Sequence, residues 1–357
     1  MEPRPAGEAA GAGDAKGNSV RAVERVVWPP VADLPGIPHA LVVAWAVALG
    51  AAVGSFLNVV VARLPAGLSI VRPRSRCPRC LAPIGATDNV PVLSWLLLRG
   101  RCRSCRAPIS VRYPLVELAG AGAAWLALER HGWTPAAPAE LALVALLLAL
   151  ALIDLDTWLL PHALTWPLLF LGLALSALGL TSAGSLRDAF WGAGVGFAAF
   201  AAVAVVGEKV LHKEALGFGD VWLLAGIGSW LGVKGLLPVI LLASVEGTVV
   251  GLLLAALGKL PKGEPAPHPG TGDSPHHGRG EGDATPGDPS PGSTLSPAPA
   301  GERVSASRAH PAGEGEDDWV PPRNAVPFGP FLAAGALQWL WLGDWLARLV
   351  PTLAIFR

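Results

Sequence analysis

Eight apolar stretches, most of them about as long as a bilayer crossing, run through this sequence and leave few folds open to it. They lie at about 40–62, 114–130, 138–156, 162–182, 189–207, 219–233, 236–257 and 327–350. A span needs roughly 20 apolar residues. Hydrocarbon offers a backbone no hydrogen-bond partners, so a segment that crosses it closes its bonds within itself as a helix. With 52% hydrophobic and 15% charged residues, an ordinary soluble domain is excluded. The expected fold is an all-α polytopic membrane protein with about eight transmembrane helices. Its surroundings are the lipid bilayer, and no nucleic-acid partner is expected. Residues 1–38 are polar and mixed in charge and read as a disordered tail. They lack a basic segment directly before a short apolar core, so no cleaved signal peptide is expected. Residues 258–326 are rich in Pro, Gly, Ser and acids, a composition that cannot bury a core and reads as a low-complexity loop. The division expected is therefore a tail at 1–38, a first transmembrane helix at 39–63, a loop domain at 64–113, a membrane core at 114–257, the loop at 258–326, and a last transmembrane helix with the C-terminus at 327–357.

Charge supplies the orientation. The segment 63–113 holds ten arginines against one acid, Asp88. Short basic loops stay in the cytoplasm, which puts the N-terminus outside and lets the spans alternate. The third span then runs inward and ends near Asp154, and the sixth runs outward from Asp220. Both carboxylates emerge at the cytoplasmic face. An ionisable side chain near hydrocarbon costs a few kcal/mol or more and usually marks function. Two carboxylates at one depth are the parts of an aspartyl protease dyad, in which a shared proton lets one group activate water. The competing reading is two unrelated helix-end aspartates, with Asp220 a plain N-cap. Asp156 competes with Asp154, because residues two apart on a helix point about 200° apart and only one can face Asp220. Glu117 is expected to pair with Arg112 or another loop arginine, a direct catalytic role being the alternative. Glu246, midway along the seventh span, is expected to be protonated or hydrogen-bonded inside the bundle.

The basic loop carries a second signal. Cys77-Pro78-Arg79-Cys80 and Cys102-Arg103-Ser104-Cys105 are separated by 21 residues. Two such knuckles make a tetrahedral four-thiolate site, typical of structural zinc with no position open for water. Disulfides are the alternative, disfavoured in a reducing cytoplasm. Bound zinc would fold a loop too small and too basic to hold its own core. The run Gly192-Ala193-Gly194-Val195-Gly196 lies inside an apolar helix and reads as helix packing through small residues, not as a dinucleotide fingerprint.

Several ordered motifs resemble those of the bacterial prepilin peptidases, or type IV leader peptidases, of the GxGD group of membrane aspartyl proteases. Gly54-Ser55-Phe56-Leu57-Asn58-Val59-Val60 with Arg63-Leu64-Pro65 is similar to the family's first-span signature. Asn89-Val90-Pro91-Val92-Leu93-Ser94-Trp95, the two CxxC pairs and Arg112-Tyr113-Pro114-Leu115-Val116-Glu117 are similar to its cytoplasmic domain. Ile153-Asp154 with Leu159-Leu160-Pro161, and Gly217-Phe218-Gly219-Asp220 with Leu223-Leu224-Ala225, resemble the two catalytic motifs. Pro327-Phe328-Gly329-Pro330-Phe331 resembles the start of the last span. The chain departs from the family pattern where Trp222 stands in place of a common Lys and His162 in place of a common acid.

The resemblance implies a membrane aspartyl endopeptidase of the bacterial inner membrane, with its active site and zinc domain on the cytoplasmic side. Such an enzyme removes the leader of type IV prepilins and type II secretion pseudopilins. It then N-methylates the new terminus with S-adenosylmethionine. The implied catalytic residues are Asp154 and Asp220, the family's spacing to the following Pro favouring Asp154 over Asp156. Gly217 and Gly219, lacking side chains, would let the backbone turn and a substrate strand approach. Cys77, Cys80, Cys102 and Cys105 would hold the structural zinc. Two alternatives stay open: a peptidase that does not methylate, and a membrane assembly factor without catalysis.

Overall fold

In the computed structural model the residues described are 36–211, 217–258 and 326–356. The expected N-terminal tail, but for its last three residues, and the expected low-complexity loop, but for its two end residues, lie outside them. The chain divides into two compact units, residues 1–252 with 327–357 and residues 253–326. Of the second, the described part is the end of a helix closed by a turn at 257–258.

Seven long helices and one short one form the first unit: α1 (His39–Arg63), α2 (Leu93–Leu97), α3 (Arg112–His131), α4 (Ala136–Thr157), α5 (His162–Ala177), α6 (Leu186–Leu211), α7 (Phe218–Ala256) and α8 (Gly329–Leu349). The all-α membrane architecture is as expected. Among the described residues, four helices are long and apolar enough to cross a membrane, α1, α4, α6 and α7, and the other expected spans are shorter or more polar. Helix α3 carries Arg112, Glu117, Glu129, Arg130 and His131, α8 carries Gln338, Asp344 and Arg348, and α5 has only 16 residues. The sixth and seventh expected spans are the two helical segments of α7, 39 residues in all, that meet at a break at Gly232 (φ 70°, ψ 179°). Unbroken, α7 would reach about 58 Å, nearly twice the hydrocarbon thickness of about 30 Å. Only glycine adopts that backbone conformation without strain.

The break organises the core. From Asp220 to Gly232 all but one residue is buried, Trp222 being half-exposed. Leu223, Leu224, Ile227 and Trp230 pack against Leu143, Leu147 and Leu150 of α4, Leu168 of α5, Phe200 of α6 and Leu332 and Trp339 of α8. Carbonyls just before the break receive donors from outside the helix. The N–H of Ala183 donates to Trp230 O at 2.8 Å and the hydroxyl of Ser176 donates to Ser229 O at 3.0 Å. This is how a helix that ends among apolar neighbours keeps its polar backbone satisfied. Trp230 crosses the bare surface of Gly172 to donate from Nε1 to Leu168 O at 2.8 Å.

Small residues set the helix crossings. Helix α1 lies against α3 where Gly50 and Gly54 meet Gly120 and Val116, and α6 lies against α7 where Gly192 meets Gly228 and Gly196 meets Leu224. Gly194, between the last two, meets nothing, so the Gly192–Gly196 run is a packing surface as read from the sequence. At the end of the bundle where α3 stops and α4 starts, buried Glu140 takes bonds from His131 Nε2 (2.7 Å) and Trp341 Nε1 (2.9 Å), joining α3, α4 and α8. A cavity of about 760 Å³ opens beside it and is lined by Arg130, His131, Gln338 and Trp341.

A side chain at Gly120 would drive into the Gly50 carbonyl, whereas one at Gly122, two residues on, meets nothing. Overpacking of this kind costs about 1–3 kcal/mol. Gly120→Val is therefore expected to lower the temperature at which the detergent-solubilised protein loses its monodisperse state. Gly122→Ala should leave that temperature unchanged.

Candidate active site and four-cysteine centre

At the opposite end of the bundle α4 stops and α5, α7 and α8 start. Trp158 in the left-handed conformation (φ 59°) ends α4, and Leu159-Leu160-Pro161 leads into α5, with Pro161 as its N-cap. Asp154 lies in the last turn of α4 and Asp220 in the first turn of α7, 5% and 8% exposed. The two carboxyls lie within electrostatic reach of each other. Asp154 faces the backbone N–H of Gly329 at the start of α8, and a Cβ added at Gly329 would come 2.5 Å from its Oδ2. Asp220 Oδ1 is buried with no hydrogen-bond partner among the described residues. A carboxylate oxygen left bare in a packed interior is uncommon and calls for an explanation.

Asp156 goes elsewhere. It is exposed on the other face of α4 and takes two bonds from Arg112 Nη1, at 2.7 and 2.8 Å, while Arg112 Nη2 donates to Leu152 O. Helical geometry thus separates the two acids, one into the bundle beside Asp220 and one onto α3. Gly217 and Gly219 lie just before Asp220. Neither has a positive φ, so neither makes a left-handed turn. Gly217 is exposed, with Asp220 Oδ2 3.8 Å from where its Cβ would be. Gly219 instead receives Leu160, whose Cβ lies 2.8 Å from the place a Gly219 Cβ would take. The bare backbone at 219 makes room for the protein's own loop.

The four cysteines come together. Their sulfurs all lie within 4.8 Å of one another, with Cys77 and Cys105 3.8 Å apart and Cys80 and Cys102 4.0 Å apart. A tetrahedral metal with bonds of about 2.3 Å has sulfur–sulfur edges of about 3.8 Å, so the cluster fits a four-thiolate ion, and none of the four is in a disulfide. Backbone N–H groups of Cys80 and Arg79 pull the Cys77 thiol down to about 6. At Cys80 the Ala82 backbone N–H also pulls down but is outweighed by burial and the neighbouring sulfurs, which push the thiol up to about 11. Four thiols this close cannot all ionise alone, and a cation removes the conflict. The two knuckles share one plan. Leu81 and Arg106 follow them with φ of 58° and 59°, and bridges pair Arg76 with Pro83 and Arg101 with Pro108. The sequence shows why: Arg76-Cys77-Pro78-Arg79-Cys80-Leu81-Ala82-Pro83-Ile84 recurs as Arg101-Cys102-Arg103-Ser104-Cys105-Arg106-Ala107-Pro108-Ile109, a repeat that the CxxC spacing alone does not reveal. Between the knuckles, the Arg103 guanidinium forks onto Asp88 and holds its carboxyl below the usual range.

Glu117 corrects an expectation. It does not pair with Arg112. Its Oε2 accepts the backbone N–H of Val92 at 2.7 Å. Val92 has φ 61° and ψ −52°, and Leu93 N–H reaches Pro91 O at 2.6 Å across it. This is a γ-turn of the strained, positive-φ kind, and a β-branched residue rarely tolerates it. The buried carboxylate on α3 holds the loop in that shape. Asn58 of α1 donates to Tyr113 O nearby, so three motifs distant in sequence meet at one corner. Glu246 of α7 lies against Gln338 of α8, with its Oε1 buried and unpartnered among the described residues.

Comparison with known proteins gives two family matches. Residues 48–130 match the Bacterial Peptidase A24 N-terminal domain, and residues 141–252 match the Type IV leader peptidase family. A prepilin leader peptidase/N-methyltransferase of Myxococcus xanthus is 45% identical over 324 residues, covering 89% of this chain and 96% of its own. Proteins of the same name from Stutzerimonas stutzeri and Pseudomonas aeruginosa are 42% and 41% identical, covering 67% and 61% of this chain and 89% and 83% of theirs. No solved structure gives a significant match.

Removing the Glu117 carboxylate would strand the Val92 N–H and release the turn. A hydrogen bond to a charged group is worth about 1.5–3 kcal/mol, and losing it should favour local opening by roughly 10- to 100-fold. Glu117→Ala is therefore expected to speed limited trypsin cleavage at the loop arginines by about that factor, with Asp156→Ala as a control on the same end of the bundle.

Proposed function

This chain belongs to the type IV leader peptidase family, and on that premise we propose that it is a prepilin-processing membrane aspartyl endopeptidase that also N-methylates its product. The observation that carries the reading is the pair of buried carboxyls, Asp154 and Asp220. They sit on different helices at one end of the bundle, with one oxygen of Asp220 unclaimed among the described residues. One carboxylate takes a proton from water while the oxygen attacks the scissile carbonyl carbon, and the partner, as the acid, donates to the carbonyl oxygen. Collapse of the tetrahedral intermediate breaks the C–N bond and returns a proton to the leaving amine. Burial keeps both groups away from bulk water, where their interaction would be weaker.

The ten arginines of 63–113 support a cytoplasmic loop. Glu117 and Arg112 bind that loop region and Asp156 to the start of α3, which supports a dyad that opens on the same side. The substrates proposed are type IV prepilins and type II secretion pseudopilins in the inner membrane, whose basic leaders stay in the cytoplasm beside the dyad. The released N-terminal amine is then the methyl acceptor, and S-adenosylmethionine supplies the methyl group. Cys77, Cys80, Cys102 and Cys105 are proposed to hold one structural zinc, which would fix the loop without taking part in bond cleavage.

Purified protein incubated with a prepilin peptide and S-adenosylmethionine, read by mass spectrometry, tests the whole reading. The expected products are a leaderless peptide and its singly methylated form. Leader loss without methylation would leave a peptidase only, and no change would leave an assembly factor. Asp154→Asn and Asp220→Asn should each lower cleavage by roughly 10²–10⁴-fold while the protein still accumulates in the membrane, and Asp156→Asn should not. Wild-type cleavage by Asp220→Asn would sink the dyad. Elemental analysis should find about one zinc per chain, and unchanged metal content in Cys77→Ser/Cys102→Ser would refute the four-thiolate site.

A further inference from the structure

The two positions at which this chain departs from the family pattern touch each other. His162, the first residue of α5, and Trp222, in the first turn of α7, have ring centroids 6.2 Å apart with planes at 86°, an edge-to-face contact of the kind aromatic rings prefer. Each is held by further partners. Trp166 lies 5.5 Å from His162 and 6.5 Å from Trp222, Phe197 of α6 lies 5.1 Å from Trp222, and Thr165 Oγ1 stands 3.5 Å from His162 Nδ1. An acid at 162 and a Lys at 222, which the resemblance leads one to expect, would attract across the same gap. Here both ends differ and the contact remains.

What the contact holds is the segment just before it. Pro161 and Leu160 precede His162, and Leu160 is the side chain wedged between the starts of α7 and α8. Its Cβ lies 2.8 Å from the place of a Gly219 Cβ, and its Cδ1 lies 3.4 Å from the place of a Gly329 Cβ. Gly219 adjoins Asp220, and Gly329 faces Asp154. We propose that His162 and Trp222 are positioning residues, an aromatic clamp that stands in for an ion pair and holds Leu160 where it sets the separation of Asp154 and Asp220. This rests on the peptidase reading above. The clamp acts on the dyad through Leu160.

The test is a double-mutant cycle on the full-length protein reconstituted in lipid, with His162→Asp, Trp222→Lys, the double variant and Trp222→Leu. The measured quantities are kcat and KM for a prepilin peptide and the thermal stability of each variant, with Asp220→Asn as the zero of activity. Each single change should lower kcat by roughly three- to tenfold and leave KM within about twofold, and the double variant should recover most of the loss, because contacting residues couple. Trp222→Leu, apolar but ringless, should lose as much as Trp222→Lys. Losses that simply multiply in the double variant, or wild-type kcat in Trp222→Leu, would overturn the clamp. A wild-type protein that cleaves nothing overturns the peptidase reading instead. The clamp is then judged on the thermal-stability cycle, in which coupling supports it and additivity overturns it.

Discussion

A helix that stops inside an apolar bundle must find partners for its last carbonyls among its neighbours, and this need governs the architecture around α7. The break at Gly232 leaves the first part of that helix too short to cross a bilayer and surrounds it with α4, α5, α6 and α8. Ser176 and the N–H of Ala183 complete its polar backbone from outside. Its neighbours come close enough to do so only because Gly172, Gly192 and Gly196 present bare backbone to it. The same enclosure brings Asp220, at the helix's start, into a water-poor position beside the end of α4. The carboxyl pair is thus a by-product of how the central helix is buried, and what sets its geometry is the packing of Leu160, Gly219 and Gly329.

Much of this was legible in the sequence, and the reasons are physical. Long apolar runs announce membrane helices because hydrocarbon leaves so few alternatives. Two acids at the ends of such runs stand out because each is costly there. The separation of Asp154 from Asp156 follows from helical periodicity alone, and the structure puts the second on Arg112. Four cysteines in two short pairs leave little else to bring together than their sulfurs.

What stayed hidden depends on contacts between segments far apart in the chain. Glu117 looked like an ion-pair partner, yet it caps a backbone N–H some 25 residues upstream, and no local pattern marks a strained turn at a valine. That Gly219 also makes room for Leu160 depends on a loop some 60 residues away in the chain. The break at Gly232, where the backbone takes a positive φ between the expected sixth and seventh spans, also depends on neighbours from other helices that no local pattern announces. The duplicated knuckle was present in the sequence all along. Its signature is the Ala-Pro-Ile after each CxxC, which pattern-reading for metal ligands passes over.

The knuckle geometry also has a bearing on delivery. Sulfurs facing each other across the two knuckles at 3.8 and 4.0 Å are a small movement away from covalent closure. In a reducing compartment they remain available to a metal; in an oxidising one, exchange and oxidation would join them in pairs and no ligand would be left. If the loop faces the cytoplasm, as proposed, a chain threaded through the membrane the wrong way round would be marked chemically as well as misplaced, its loop sealed by crosslinks.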